Sequence, residues 1–128
     1  MKKGYKQLVA EANSVIETIQ VEAAVRQLKS MGVIFVDVRD LPELERDGMI
    51  PGAIHASRGM LELHADPESP YHKDVFSSGR KLILYCSTGW RSALAAQRLQ
   101  EMGLDNISHL DGGIKAWKEA HGPIESIY

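Results

Sequence analysis

Two short runs constrain this chain more than any other feature. Val33-Ile34-Phe35-Val36-Asp37-Val38 and Lys81-Leu82-Ile83-Leu84-Tyr85 are nearly continuous β-branched, aliphatic and aromatic stretches. They are too short for helices and too uniformly apolar for strands with one wet face, so they read as strands buried on both sides. A strand of that kind needs helices on both faces of its sheet. The flanking sequence supplies them. Residues 1–16 read as a leading helix, with Tyr5, Leu8, Val9, Ala12, Val15 and Ile16 at helical spacing. A short extended piece at Glu17–Ile19 precedes a helical stretch from Val21 to Lys29, which Gly32 is placed to end. Behind the second apolar run, Trp90 to Glu101 has helical spacing through Leu94, Ala95 and Leu99, and Gly103 stops it. Ile107–Leu110 offers another short strand and Ile114–Ala120 a last helix before the Gly122-Pro123 break. Strands alternating with helices indicate an α/β fold with a parallel sheet. The stretch from Ser57 to Gly79 is broken into short pieces by Pro67, Pro70, Ser77, Ser78 and Gly79.

At 128 residues the chain is expected to form one domain over 1–128. A net charge of -2 provides no basic footprint for a phosphate backbone, which argues against nucleic acid as a partner. No window approaches the roughly 18 to 20 apolar residues of a membrane-spanning helix. Lys2 and Lys3 are followed by Glu11, Asn13 and Glu17 and no apolar h-region, so the expected location is the cytoplasm. A single cysteine excludes an internal disulfide and a multi-thiolate zinc site. The five histidines, His55, His64, His72, His109 and His121, form no metal-ligand pair on a helix face and read as solvent-facing or packing residues. Neither a metal nor another cofactor is expected.

That one cysteine, Cys86, follows the second buried strand directly and precedes Ser87-Thr88-Gly89-Trp90-Arg91-Ser92. In open parallel sheets, ligands bind beyond the carboxyl ends of the strands, and a helix N-terminus there attracts anions. Gly89 allows a tight turn that aims backbone N–H groups inward, and the helix dipole and Arg91 add positive potential. Such surroundings favour thiolate over thiol and make the cysteine a nucleophile. Trp90 reads as a rim or packing residue.

Three segments, in order, resemble the rhodanese-like family. The first is Val36-Asp37-Val38-Arg39 followed by Gly48-Met49-Ile50-Pro51-Gly52-Ala53-Ile54. The others are the loop Cys86 to Ser92 and the stretch Leu110-Asp111-Gly112-Gly113-Ile114-Lys115-Ala116-Trp117. The resemblance implies a five-stranded parallel sheet with helices on both faces and a ping-pong sulfur transfer. Cys86 would take a sulfane sulfur from a donor, thiosulfate or a persulfide, and pass it to cyanide or a thiol. It implies that Ser87, Thr88, Gly89, Trp90, Arg91 and Ser92 bind substrate, and that Asp37 and Arg39 brace the loop. The partners implied are a small sulfur donor and acceptor, with a sulfur-accepting protein as a further one. Met49 stands where many relatives carry His. Glu43 lies near the place where the larger two-domain thiosulfate enzymes present a substrate-binding arginine.

Two alternatives stand beside this reading. One is a non-catalytic or sulfur-sensing module on the same fold, with the leading helix and Ser69-Pro70-Tyr71-His72-Lys73 as docking segments. The other is a cysteine-dependent phosphatase. In that signature the arginine lies six positions after the cysteine, which here is Ser92, and a loop one residue shorter suits a sulfur atom better than a phosphoryl group.

Overall fold

The computed structural model describes residues 1–128. Five strands alternate with helices: β1 (Glu17–Ile19), β2 (Val33–Asp37), β3 (Ile54–His55), β4 (Lys81–Tyr85) and β5 (Ile107–Leu110). They form one sheet in the order β1-β5-β4-β2-β3, and every pairing is parallel. The two apolar runs are its adjacent central strands, with Phe35 opposite Ile83 and Val36 opposite Leu84. Side chains alternate across the pleat. Val36, Leu82, Leu84, Cys86 and Ile107 therefore join one core with Leu61, Ala95 and Leu99, while Phe35, Ile83, Tyr85 and Leu110 join a second with Ala24, Ile114 and Trp117.

Helices α1 (Tyr5–Val15), α4 (Leu61–Ala65) and α5 (Trp90–Glu101) cover the first face, and α2 (Val21–Arg26) and α6 (Gly113–Glu119) the second. A further helix, α3 (Leu41–Asp47), follows β2. Helix α2 is shorter than its periodicity suggested. Bonds from Gln27 N to Ala24 O, Leu28 N to Val25 O and Ser30 N to Gln27 O close three-residue turns, which reverse the chain into β2 before Gly32 is reached. Strand β3 had no signal in the sequence. Its two residues align with Val36 and Asp37, a span too short to display a period. The segment from Ser57 to Gly79 comprises α4 and two 3₁₀ turns, Arg58–Met60 and Asp74–Ser77.

The strand order determines where a ligand can sit. From β4 the chain proceeds to β5 on one side, and from its neighbour β2 it proceeds to β3 on the other. Outgoing connections that diverge open a crevice between the carboxyl ends of the two strands. The segments meeting there are those after Tyr85 and after Asp37. No helix is long and apolar enough to cross a membrane.

Candidate active site

Cys86 leaves β4 on the α1/α5 face and is 1% exposed. The next turn is made possible by Gly89, whose φ of 104° lies in the left-handed region. That conformation returns the Gly89 N–H to the Cys86 Sγ at 3.1 Å. Helix α5 begins at the following residue, and the N–H groups of Trp90, Arg91 and Ser92 in its first turn have no acceptor within the chain. One amide on the sulfur and the positive end of a twelve-residue helix together create an anion-favouring cradle.

The Gly112-Gly113 pair supports this cradle from behind. Ile114 N donates to Cys86 O at 2.8 Å and Lys115 N to Ser87 O at 3.1 Å, so the start of α6 holds the loop by its carbonyls. A side chain at Gly113 has no room. Its φ is 63°, and a Cβ there would collide with the carbonyl oxygens of Ser87 and Cys86, the latter at 2.6 Å. Glycine here lets two backbones approach closely.

Arg91 does not stand free. Its Nη1 donates to Glu43 Oε2 at 2.8 Å and its Nη2 to Glu43 Oε1 at 2.9 Å, a bidentate pair across the crevice. Glu43 also accepts from Asp40 N at 2.9 Å, at the start of α3, and from Ser87 Oγ at 3.4 Å. The Arg91 hydrogen bonds hold the Glu43 carboxyl at about 2, and the same contact raises Arg91. Both charges are satisfied by one another, so Arg91 adds little net positive potential for an anionic donor. Glu43 is thus the side chain that ties the β2 side of the crevice to the cysteine loop, a role that reading the sequence did not assign to it. Its position three residues after Asp40, at a helix start, was the available signal.

Asp37 and Arg39 are both fully buried. Arg39 donates through Nε and Nη2 to the Asp37 carboxylate, closest at 2.7 Å, and through Nη2 to Gly48 O at 2.7 Å. Burial pulls the Arg39 guanidinium down, the Asp37 carboxylate outweighs it, and the net shift is upward. None of these bonds reaches Cys86–Ser92. The pair clamps the Gly48 turn, next to which Ile50 N donates to Tyr85 Oη at 3.1 Å. Burial, aided by Asp37, pushes the Tyr85 hydroxyl well above its ordinary range and keeps it neutral.

Ser92 is fully buried, and the Cys86 thiol donates to its Oγ at 3.5 Å. Beyond it lies His109 of β5, with Nδ1 at 3.1 Å from Ser92 Oγ and Nε2 at 2.9 Å from Asn13 Oδ1 on α1. His109, one of the five histidines read as solvent-facing or packing residues, is packed in the interior, and packing alone does not describe it. It is 2% exposed and hydrogen-bonded at both nitrogens. Local sequence could not reveal this, because its partners lie 17 and 96 positions away. Of the remaining loop residues, Thr88 is exposed, Ser87 is half-buried, and Trp90 is 54% exposed with its ring centroid 5.2 Å from that of Tyr5 on α1. No three metal-binding side chains gather into a cluster.

The largest concavity, about 310 Å³, is lined by Ala65, Asp66, Pro67, Phe76, Ser77, Met102 and Leu104. It lies at the far end of α5 from the cysteine.

Residues 20–120 match the rhodanese-like domain family. A protein of Allochromatium vinosum named sulfurtransferase is 33% identical over 92 residues, covering 72% of this chain and 78% of that one. An uncharacterized protein of Synechocystis is 43% identical over 47 residues, which are 37% of this chain and 26% of that protein's length. Among solved structures, a protein of unknown function from Rhodopseudomonas palustris, described as a possible tyrosine phosphatase, superposes with a TM-score of 0.94 at 48% identity. That match covers 98% of this chain and 96% of the other. The polysulfide-sulfur transferase homodimer of Wolinella succinogenes superposes with a TM-score of 0.70 at 30% identity, covering 94% of this chain and 86% of the other.

Proposed function

This chain belongs to the rhodanese-like family, and from that premise we propose that it is a sulfurtransferase whose Cys86 carries the transferred sulfur as a persulfide. The observation that carries this reading is the Gly89 N–H at 3.1 Å from Cys86 Sγ, beside the unpaired first-turn amides of α5. The Cys86 thiolate attacks the outer sulfur of a donor. The Sγ–S bond forms, the donor's bond to that sulfur breaks, and the electron pair leaves with the donor's remainder. An acceptor thiol or cyanide then attacks the outer persulfide sulfur, and Cys86 departs as thiolate. The names of the Allochromatium and Wolinella relatives support sulfur as the cargo.

The Glu43–Arg91 pair bears on the donor class. A rim whose guanidinium is already engaged by a carboxylate favours a persulfide or polysulfide over thiosulfate, whose dianionic charge would need an unpaired cation. The same pairing disfavours phosphate-ester chemistry, in which the arginine must grip the phosphoryl oxygens. A small sulfur compound is the expected donor and a thiol, free or on a protein, the expected acceptor.

Intact-mass measurement after incubation with a persulfide donor tests the reading. A sulfur-sized increase that a reductant removes, absent in Cys86→Ala, is the expected result. If every donor leaves Cys86 unmodified, the proposal fails. Cys86-dependent turnover of an aryl phosphate would replace it with the phosphatase reading.

A further inference from the structure

Helix α1 lies before the residues that match the family, yet it places a side chain in a hydrogen-bonded line to the reactive sulfur. The line runs from Cys86 Sγ to Ser92 Oγ at 3.5 Å, to His109 Nδ1 at 3.1 Å, and from His109 Nε2 to Asn13 Oδ1 at 2.9 Å. Two other contacts hold α1 at this place. Gln100 Nε2 donates to Val15 O at 3.0 Å, and Tyr5 packs on Trp90.

Each bond has a direction that the next one requires. Asn13 presents an oxygen to Nε2, so Nε2 carries the imidazole hydrogen and Nδ1 is left as an acceptor. Nδ1 then takes the Ser92 hydroxyl hydrogen, and the Ser92 oxygen is left to accept from the Cys86 thiol. We propose that Asn13 and His109 are positioning residues of a proton relay that removes the Cys86 thiol proton through Ser92. This rests on the reading of Cys86 as the sulfur-carrying nucleophile.

The step balances. The thiol proton passes to Ser92 Oγ while the serine hydrogen passes to His109 Nδ1, converting a neutral thiol and imidazole into thiolate and imidazolium. Both bonds reverse, and the new Ser92 hydroxyl now donates to the sulfur anion. The proton is borrowed and returns along the same line when the resting thiol is restored. Burial favours neutral His109 and so leaves Nδ1 unprotonated at rest; it also weakens the imidazole as a base, a cost that the charge of Asp111 and the thiolate formed in the same step oppose. The groups that face the imidazole are Asn13 of α1, Ser92 of α5, and its register partners Thr18 of β1 and Leu84 of β4. Asp111, two residues along, supplies the charge that reaches it.

With one cysteine in the chain, the ultraviolet absorbance of the thiolate, after subtraction of Cys86→Ala, follows Cys86 alone and needs no sulfur donor. Asn13 is an exposed helix position, so its variants should fold. Asn13→Asp puts a carboxylate on Nε2, strengthens the imidazole as a base, and should raise the thiolate fraction at neutral pH by about threefold, a half-unit displacement. Asn13→Ala frees the tautomer, and His109→Asn can accept the serine hydrogen but cannot take a proton. Both should lower the fraction by about as much. A residue with only a structural role would not move the profile in opposite directions for Asp and Ala at one site. Superimposable thiolate profiles in all three variants, each folded by circular dichroism, would overturn the relay. If persulfide still forms on Cys86 in those variants, the sulfurtransferase reading stands without it. If the profiles split as expected but no donor loads the sulfur, the relay stands and that reading falls.

Discussion

Gly113→Ala gives the sharpest test of how the loop is held. The position has φ of 63°, where an L-residue costs about 1 to 2 kcal/mol. The new Cβ would also meet the carbonyl oxygens of Ser87 and Cys86, both rigid backbone atoms. To relieve that contact, α6 must draw back and weaken the bonds from Ile114 N to Cys86 O and Lys115 N to Ser87 O. These contribute about 1 kcal/mol each. The expected total is about 3 to 4 kcal/mol, a large share of a stability of about 5 to 15 kcal/mol. Gly52→Ala is the matched control. Its φ is 78°, but nothing lies within 4 Å of a Cβ there, so only the conformational cost of about 1 to 2 kcal/mol applies. Urea unfolding of both variants reads the difference. With an m-value of about 2 kcal/mol/M, the Gly113→Ala midpoint should fall by about 1.5 to 2 M and the Gly52→Ala midpoint by about half that. Equal midpoints would refute the claim that the Gly112-Gly113 pair exists to let α6 approach the cysteine loop.

Other consequences can be checked independently. Arg39→Ala leaves the Asp37 carboxylate buried without a partner and should cost about 3 to 5 kcal/mol in urea unfolding, whereas the double change Asp37→Asn/Arg39→Met should recover much of that loss. Glu43→Gln frees Arg91 and should lower KM for thiosulfate about fivefold, the equivalent of about 1 kcal/mol between charges near 4 Å in water. An unchanged or higher KM would contradict the account of the rim. Acidification should destabilise the fold in two stages, because both groups have lowered values and both favour the deprotonated native form. His109 contributes above its ordinary 6.5 and loses that contribution as pH falls below it, and Glu43 contributes above 4.5 and loses its share towards about 2. Melting curves against pH should lose the first stage in His109→Asn and the second in Glu43→Gln. Curves identical to the parent's would contradict the assignment.

Much of the architecture was legible because it is written locally. The runs at Val33–Val38 and Lys81–Tyr85 announce buried parallel strands, and the Cys86 to Ser92 loop lies between a strand and a helix by spacing alone. Strand β3 was hidden because two residues carry no period, and its place depends on pairing with β2. The Gly112-Gly113 pair was visible as a motif, but its reason, two carbonyls of the loop pressed against it, belongs to the tertiary structure. The same holds for the electrostatics. Sequence placed Arg91 beside the cysteine, and packing decided that a carboxylate 48 positions away would neutralise it. The nucleophile was thus determined by the chain's own local order, since strand, turn and helix follow one another without a break. Its charge environment was decided by folding, because Glu43, His109 and Asn13 reach it only when α3, β5 and α1 close around the carboxyl end of β4.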